Sequence, residues 1–149
     1  MSKLTPNEPV NVLLIEDNPG DVRLTQEAFR TVDSEFVFHT LSDGADAQRF
    51  FEGDGGGPPV CPDLVLLDLN LPRVDGFEVL ETLQRELEYP PPPVLVLSSS
   101  DEEDDIVGSY ERAANAYLQK PATVDEFDDM ARAIDDFWVQ TVQHPPAPA

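Results

Sequence analysis

Five short apolar runs limit what this chain can fold into. VNVLLI (Val10 to Ile15), FVFHT (Phe36 to Thr40), LVLL (Leu64 to Leu67), VLVL (Val94 to Leu97) and AYL (Ala116 to Leu118) are strand-length and rich in β-branched or aliphatic residues. A strand wet on one face alternates apolar and polar residues. Most of these runs are almost continuously apolar, the signature of burial on both faces of a parallel sheet. Between them lie amphipathic helical patterns at about Asp21 to Thr31, Ala45 to Phe51, Phe77 to Leu87 and Glu103 to Ala113, with a last one from about Val124 to Val142. Phe77, Leu80, Leu83 and Leu87 lie on one face of the third pattern. This alternation predicts an α/β protein, a doubly wound five-stranded parallel sheet with five helices.

The length of 149 residues fits a single domain over 1–149, with its core at about 10–142 and a short disordered tail at 143–149 that contains HPPAPA. GDGGGPP (Gly53 to Pro59) and PPPP (Pro90 to Pro93) read as loops before the third and fourth strands. The glycine run is no phosphate loop, because it precedes a strand instead of joining a strand end to a helix start. Cys61 is the lone cysteine, and His39 and His144 lie far apart, so neither a disulfide framework nor a zinc-spaced cluster is present. A reducing compartment fits best. With no apolar leader at MSKLTPNEPV and apolar runs far shorter than the roughly 20 residues of a membrane span, a cytoplasmic protein with no membrane association is expected.

Charge restricts the partners. Nine Lys and Arg face 30 Asp and Glu, a net charge of −21, and Lys3 and Lys120 are the only lysines. Such a surface repels nucleic-acid phosphates and anionic lipid. It is also the kind of surface a protein in concentrated salt uses to stay solvated, which predicts a halophilic protein.

In a doubly wound sheet the ligand site lies outside the carboxyl ends of the strands. The first strand exits into Glu16 and Asp17, the third into Asp68, the fourth into Ser98, Ser99 and Ser100, and the fifth into Gln119, Lys120 and Pro121. Three converging carboxylates repel one another, and a hard divalent cation with oxygen ligands, Mg²⁺ above all, is the simplest relief. An ionised carboxylate beside such a cation, with an ammonium and a hydroxyl opposite, can act as nucleophile toward a phosphoryl group. A serine triad fails on placement: His39 ends an interior strand and His144 lies in the tail.

With LLIEDNPGD, LVLLDLNLPRVDGFEVL, PVLVLSSS and ANAYLQKP in order and at βα spacing, the chain resembles the receiver domain of two-component response regulators over about residues 10 to 142. The wording is similar to the stand-alone receivers that serve phytochrome-like kinases. The resemblance implies a flavodoxin-like sheet of order 2-1-3-4-5. It implies that Asp68 accepts the phosphoryl group from a sensor histidine kinase. Asp17, Asp68 and the backbone carbonyl of Asn70 would hold Mg²⁺, with Glu16 acting through water. Lys120 would pair with the acyl phosphate, and Ser98 and Tyr117 would form the switch. Ala113, where a glycine is usual, and Ser99, where alanine is frequent, depart from the pattern.

Two alternatives stand beside this reading. A haloacid-dehalogenase-type phosphatase also forms an aspartyl phosphate, but wants a second Asp where Asn70 stands. A pseudo-receiver would bind partners without phosphorylation, against an intact set of site positions. No catalysis beyond self-phosphorylation and autodephosphorylation is expected. With no effector domain after the fifth helix, output is expected through contact with an unknown downstream protein or a homodimer using the face of helix 4, strand 5 and helix 5. In the last helix Phe127, Ala131, Ile134 and Trp138 form the inward stripe; Met130 and Phe137 either widen it or, for Phe137 with Trp138 and Tyr110, form a docking surface.

Overall fold

The computed structural model describes residues 9–52, 62–69, 71, 76–86, 92–98, 106–109 and 116–137. The elements run β1 (Val10–Ile15), α1 (Pro19–Phe29), β2 (Phe36–Leu41), α2 (Gly44–Glu52), β3 (Leu64–Asp68), α3 (Gly76–Glu86), β4 (Val94–Ser98), α4 (described over 106–109), β5 (Ala116–Gln119) and α5 (Val124–Ile134). All strand pairs are parallel and the sheet order is β2-β1-β3-β4-β5.

Successive side chains of a strand point to opposite faces, so a strand that is apolar throughout feeds two cores. Val10, Val12 and Leu14 of β1, with Leu64 and Leu66 of β3, join Phe29 of α1 and Phe127 and Ile134 of α5. Leu13 and Ile15, with Val65 and Leu67, join Ala47 of α2 and Val79, Leu80 and Leu83 of α3 on the other face. Every residue of β3 and β4 is buried, whereas the edge strands β2 and β5 are largely half-buried. The sheet interior is therefore β1, β3 and β4, whose exits carry the acids and Ser98.

Helix starts are set by caps that the apolar pattern does not show. The Asn18 side chain accepts from the N–H groups of Gly20 and Asp21, and Pro19 has no N–H to satisfy, so α1 begins two residues before the expected Asp21. The Thr123 hydroxyl accepts from Glu126 N–H at 3.1 Å and starts α5 at the expected Val124. Residues 135–137 continue α5 as a wider π turn. Phe127, Ala131 and Ile134 face inward as expected; Phe137 is 53% exposed, which removes it from the core. Trp138, Tyr110, Ala113, Ser99, Ser100, the loop at 53–59 and the tail lie outside the described residues. No helix among the described residues is long and apolar enough to cross a membrane.

Candidate functional site

Glu16 and Asp17 sit just past the end of β1, between it and the Asn18 cap, and Asp68 is the last residue of β3. Ile15 pairs with Leu67 across these central strands, so both exits open at the same level. One carboxylate oxygen from each of Glu16, Asp17 and Asp68 lies within 4.8 Å of the other two. Glu16 and Asp68 are each 5% exposed, and Asp17 faces solvent.

Lys120 approaches from the end of β5. Ser98 pairs with Gln119, and the Lys120 N–H donates to the Ser98 carbonyl at 2.7 Å, extending the β4–β5 ladder by one bond. That bond fixes where the lysine stem starts. Its ammonium then donates to Glu16 Oε1 at 2.5 Å, Asp21 Oδ2 at 3.0 Å and Asp68 Oδ2 at 3.2 Å. Ser98 is fully buried one residue beyond Leu97, the β4 partner of Asp68. Tyr117, half-buried opposite Val96, packs against the core beneath α2 and α3. Asn70 lies outside the described residues.

The electrostatics follow from burial. Desolvation first, then hydrogen bonding to Asp68 and its field, push the Glu16 carboxyl up from 4.5 to about 8, against the opposing pull of Lys120. Burial by itself would lower the Lys120 ammonium. The hydrogen bonds to Glu16 and Asp21 and the fields of Asp68 and Glu16 outweigh it and hold the ammonium above its ordinary value. Among the described residues one ammonium thus faces three carboxylates, two of them buried, and positive charge is in short supply.

The donor set fits a hard cation. It is all oxygen and converges from two strand ends. Two oxygens on one Mg²⁺ at about 2.1 Å each lie at most about 4.2 Å apart, so carboxylate oxygens already within 4.8 Å of one another can converge on one hard cation with little side-chain movement.

Two contributors lie outside the apolar pattern that marks the strands and helices. Asp21 reads as an ordinary acid in the first turn of a helix, yet it contacts Lys120 across 99 residues of chain. Gly76 opens α3 with its N–H on the Leu69 carbonyl at 3.2 Å, and a Cβ there would lie 2.5 Å from the Leu69 Cα. Only glycine lets α3 start this close to the backbone that follows Asp68. The DG pair at Asp75–Gly76 is the signal that marks it.

A doubly wound sheet of order 2-1-3-4-5, with an acidic cation pocket and a buried lysine at its carboxyl edge, defines a class of flavodoxin-like proteins whose site lies at the sheet's switch point. Residues 12–132 match the response regulator receiver domain. The chain belongs to that family. Response regulator Rcp1 of a Synechocystis species is 40% identical over 146 residues, covering 95% of this chain and 97% of its own. The probable methanogenesis regulatory protein FilR2 of Methanothrix harundinacea is 34% identical, over 91% of this chain and 88% of its own. The crystal structure of Mn²⁺-bound Rcp1 superposes with a TM-score of 0.79 at 38% identity, covering 92% of this chain and 99% of that one. The phosphorylated cyanobacterial phytochrome response regulator RcpA gives 0.79 at 39% identity, covering 91% and 98%.

Proposed function

We propose that this receiver takes a phosphoryl group from a sensor histidine kinase onto Asp68 in a Mg²⁺-dependent reaction and signals by phosphorylation-dependent contact with other proteins. The observation that carries the reading is the Lys120 ammonium bound to Asp68 in a pocket where Asp17 and Glu16 also converge. A buried acid at the exit of the central strand is an acceptor already placed opposite its counter-charge. Mn²⁺-bound Rcp1 and phosphorylated RcpA support the cation and the phosphoryl group respectively. RcpA is named a phytochrome response regulator, which favours a phytochrome-like kinase as the donor.

In this reading an Asp68 oxygen forms a bond to phosphorus as the bond from phosphorus to the kinase imidazole breaks, the electron pair returning to the imidazole nitrogen. Asp17 and Asp68, with the backbone carbonyl of Asn70 that the family resemblance adds, would hold Mg²⁺ directly, and Glu16 would act through water. Mg²⁺ held there would supply positive charge to the group in transfer. Lys120 balances charge from the other side and pairs with the acyl phosphate. Ser98 then moves to the phosphoryl oxygen and Tyr117 changes rotamer with it, a two-state switch biased by local charge. Catalysis stops at self-phosphorylation and autodephosphorylation. The test is phosphorylation by acetyl phosphate and Mg²⁺: one phosphate per chain supports the receiver, steady phosphate release from small phosphoesters a phosphatase, and no labelling a pseudo-receiver.

We place partner contact on the α4-β5-α5 face. A groove of about 690 Å³ runs between the β5 exit and α5, lined by Leu118, Pro121, Met130, Ala133 and Phe137 among others. Replacing the exposed Phe137 with Asp is expected to leave the melting temperature within about 2 °C of wild type, as surface changes do, while weakening self-association or partner binding at least tenfold by ultracentrifugation or pull-down. Unfolding of the variant would instead show that Phe137 supports the fold and would overturn its role as a contact residue.

We also read the −21 charge as an adaptation to salt. Self-repulsion among the exposed acids falls as salt screens it, so the denaturation midpoint is expected to climb steadily with KCl. A domain fully folded and equally stable by circular dichroism in dilute buffer would contradict this.

A further inference from the structure

The Lys120 ammonium has three N–H donors, and three carboxylates take them: Glu16, Asp68 and Asp21. Glu16 and Asp68 belong to the cation pocket. Asp21 does not; it reaches the lysine from α1. Its own position is firm. The Asn18 side chain caps its N–H, and its carbonyl accepts from the Thr25 hydroxyl at 2.8 Å. Lys120 is as firmly placed, through its N–H on the Ser98 carbonyl. The Lys120–Asp21 bond therefore ties the start of α1 to the end of β5, two rigid elements on opposite sides of the acceptor.

The three bonds are not equivalent. Glu16 and Asp68 side chains are 5% exposed, whereas that of Asp21 is 24% exposed. An ammonium with every donor committed reaches a new oxygen only by releasing an old one. Releasing a carboxylate that water hardly reaches costs more than releasing Asp21, where water can take the place of the lysine. Asp21 is the bond to exchange. Its charge acts in the same direction, attracting a cation at the neighbouring cluster and repelling a phosphoryl anion on Asp68.

We propose that Asp21 is a positioning residue that holds Lys120 in the unphosphorylated protein and yields it to the phosphoryl group, so that it favours cation binding and opposes phosphoryl occupancy. The proposal rests on Asp68 being the acceptor. Removing the Asp21 charge while keeping its shape then moves two equilibria in opposite directions. A residue that only supported the fold would move both the same way, or neither.

The test compares the full-length chain with Asp21→Asn and Asp21→Glu. Mg²⁺ alone is titrated by calorimetry, and beryllofluoride, a phosphoryl mimic, is titrated at saturating Mg²⁺. Asp21→Asn should bind Mg²⁺ about threefold to fivefold more weakly and beryllofluoride more tightly by a similar factor, the scale of a partly exposed ion pair. Asp21→Glu should return both toward wild type. A third readout needs no metal. The chain holds only Lys3 and Lys120, so ¹⁵N-lysine labelling gives two ammonium signals at most, and the Lys120 signal should exchange faster with water in Asp21→Asn. Parallel shifts of the two affinities, or an unchanged Lys120 signal, would overturn the role of Asp21. Asp68→Asn separates this from the reading beneath it. Beryllofluoride binding that survives in Asp68→Asn removes the acceptor itself; binding lost there but unaltered in Asp21→Asn removes only Asp21.

Discussion

Asp68→Asn is expected to reduce labelling by acetyl phosphate to background, more than about a thousandfold below wild type, the scale seen when a nucleophile is removed. The carboxamide keeps the shape of the side chain but its oxygen is a poor nucleophile and carries no charge. Asp68 is 5% exposed at the end of β3, between the Glu16 and Asp17 carboxylates and the Lys120 ammonium. Neutralising it also weakens the cation pocket, so Mg²⁺ affinity should fall. Stability should not fall with it. Asp68 raises the Glu16 carboxyl by hydrogen bonding and by its field, which is the mark of a repulsive pair, and the variant relieves that repulsion. Intact-mass measurement after exposure to acetyl phosphate and Mg²⁺ reads the result directly: one added phosphate on the wild type, none on the variant. Equal labelling of both would move the acceptor to another residue.

The reach of the sequence follows from which interactions are local. The runs at Val10 to Ile15, Leu64 to Leu67 and Val94 to Leu97 were legible because burial on both faces leaves almost no polar residue inside a strand. β1 matches its run to the residue; β3 and β4 extend one residue further, to Asp68 and Ser98, because the ladder does not stop where apolar residues do. β2 gains Leu41 for the same reason, through its pairing with Ile15. The site acids were legible because strand ends in a parallel sheet share one edge. Asp21 was not. Its partner lies 99 residues away, and nothing in NPGD distinguishes an acid that serves a helix start from one that also reaches a lysine. Gly76 was missed for a related reason, since the close approach of Leu69 exists only once α3 has docked.

Lys120→Met should lower stability as well as slow the chemistry. Methionine keeps most of the stem and loses the ammonium, the group that Glu16, Asp21 and Asp68 share. Breaking a buried ion pair by removing one partner costs about 3–5 kcal/mol when the remaining charge cannot be neutralised. Here it can, because the Glu16 carboxyl already sits at about 8 through desolvation and Asp68, and without Lys120 it climbs further and takes up a proton. The expected loss in metal-free protein near neutral pH is therefore smaller, on the order of 2 kcal/mol, read as a lower denaturation midpoint. The sign of its pH dependence follows from the same carboxyl. An acid raised in the folded state binds its proton there over a range where the unfolded chain has lost it. Stability then falls as pH rises from about 4.5 through the folded value of about 8 and beyond it in the variant. The deficit of Lys120→Met should accordingly be small at pH 5 and largest above pH 8, and saturating Mg²⁺ should restore much of it by supplying the missing positive charge. Phosphorylation by acetyl phosphate should slow about a hundredfold, as when one charge-stabilising donor is lost from a site. A variant as stable as wild type at every pH without Mg²⁺ would show that Lys120 is not what offsets the charge of these acids.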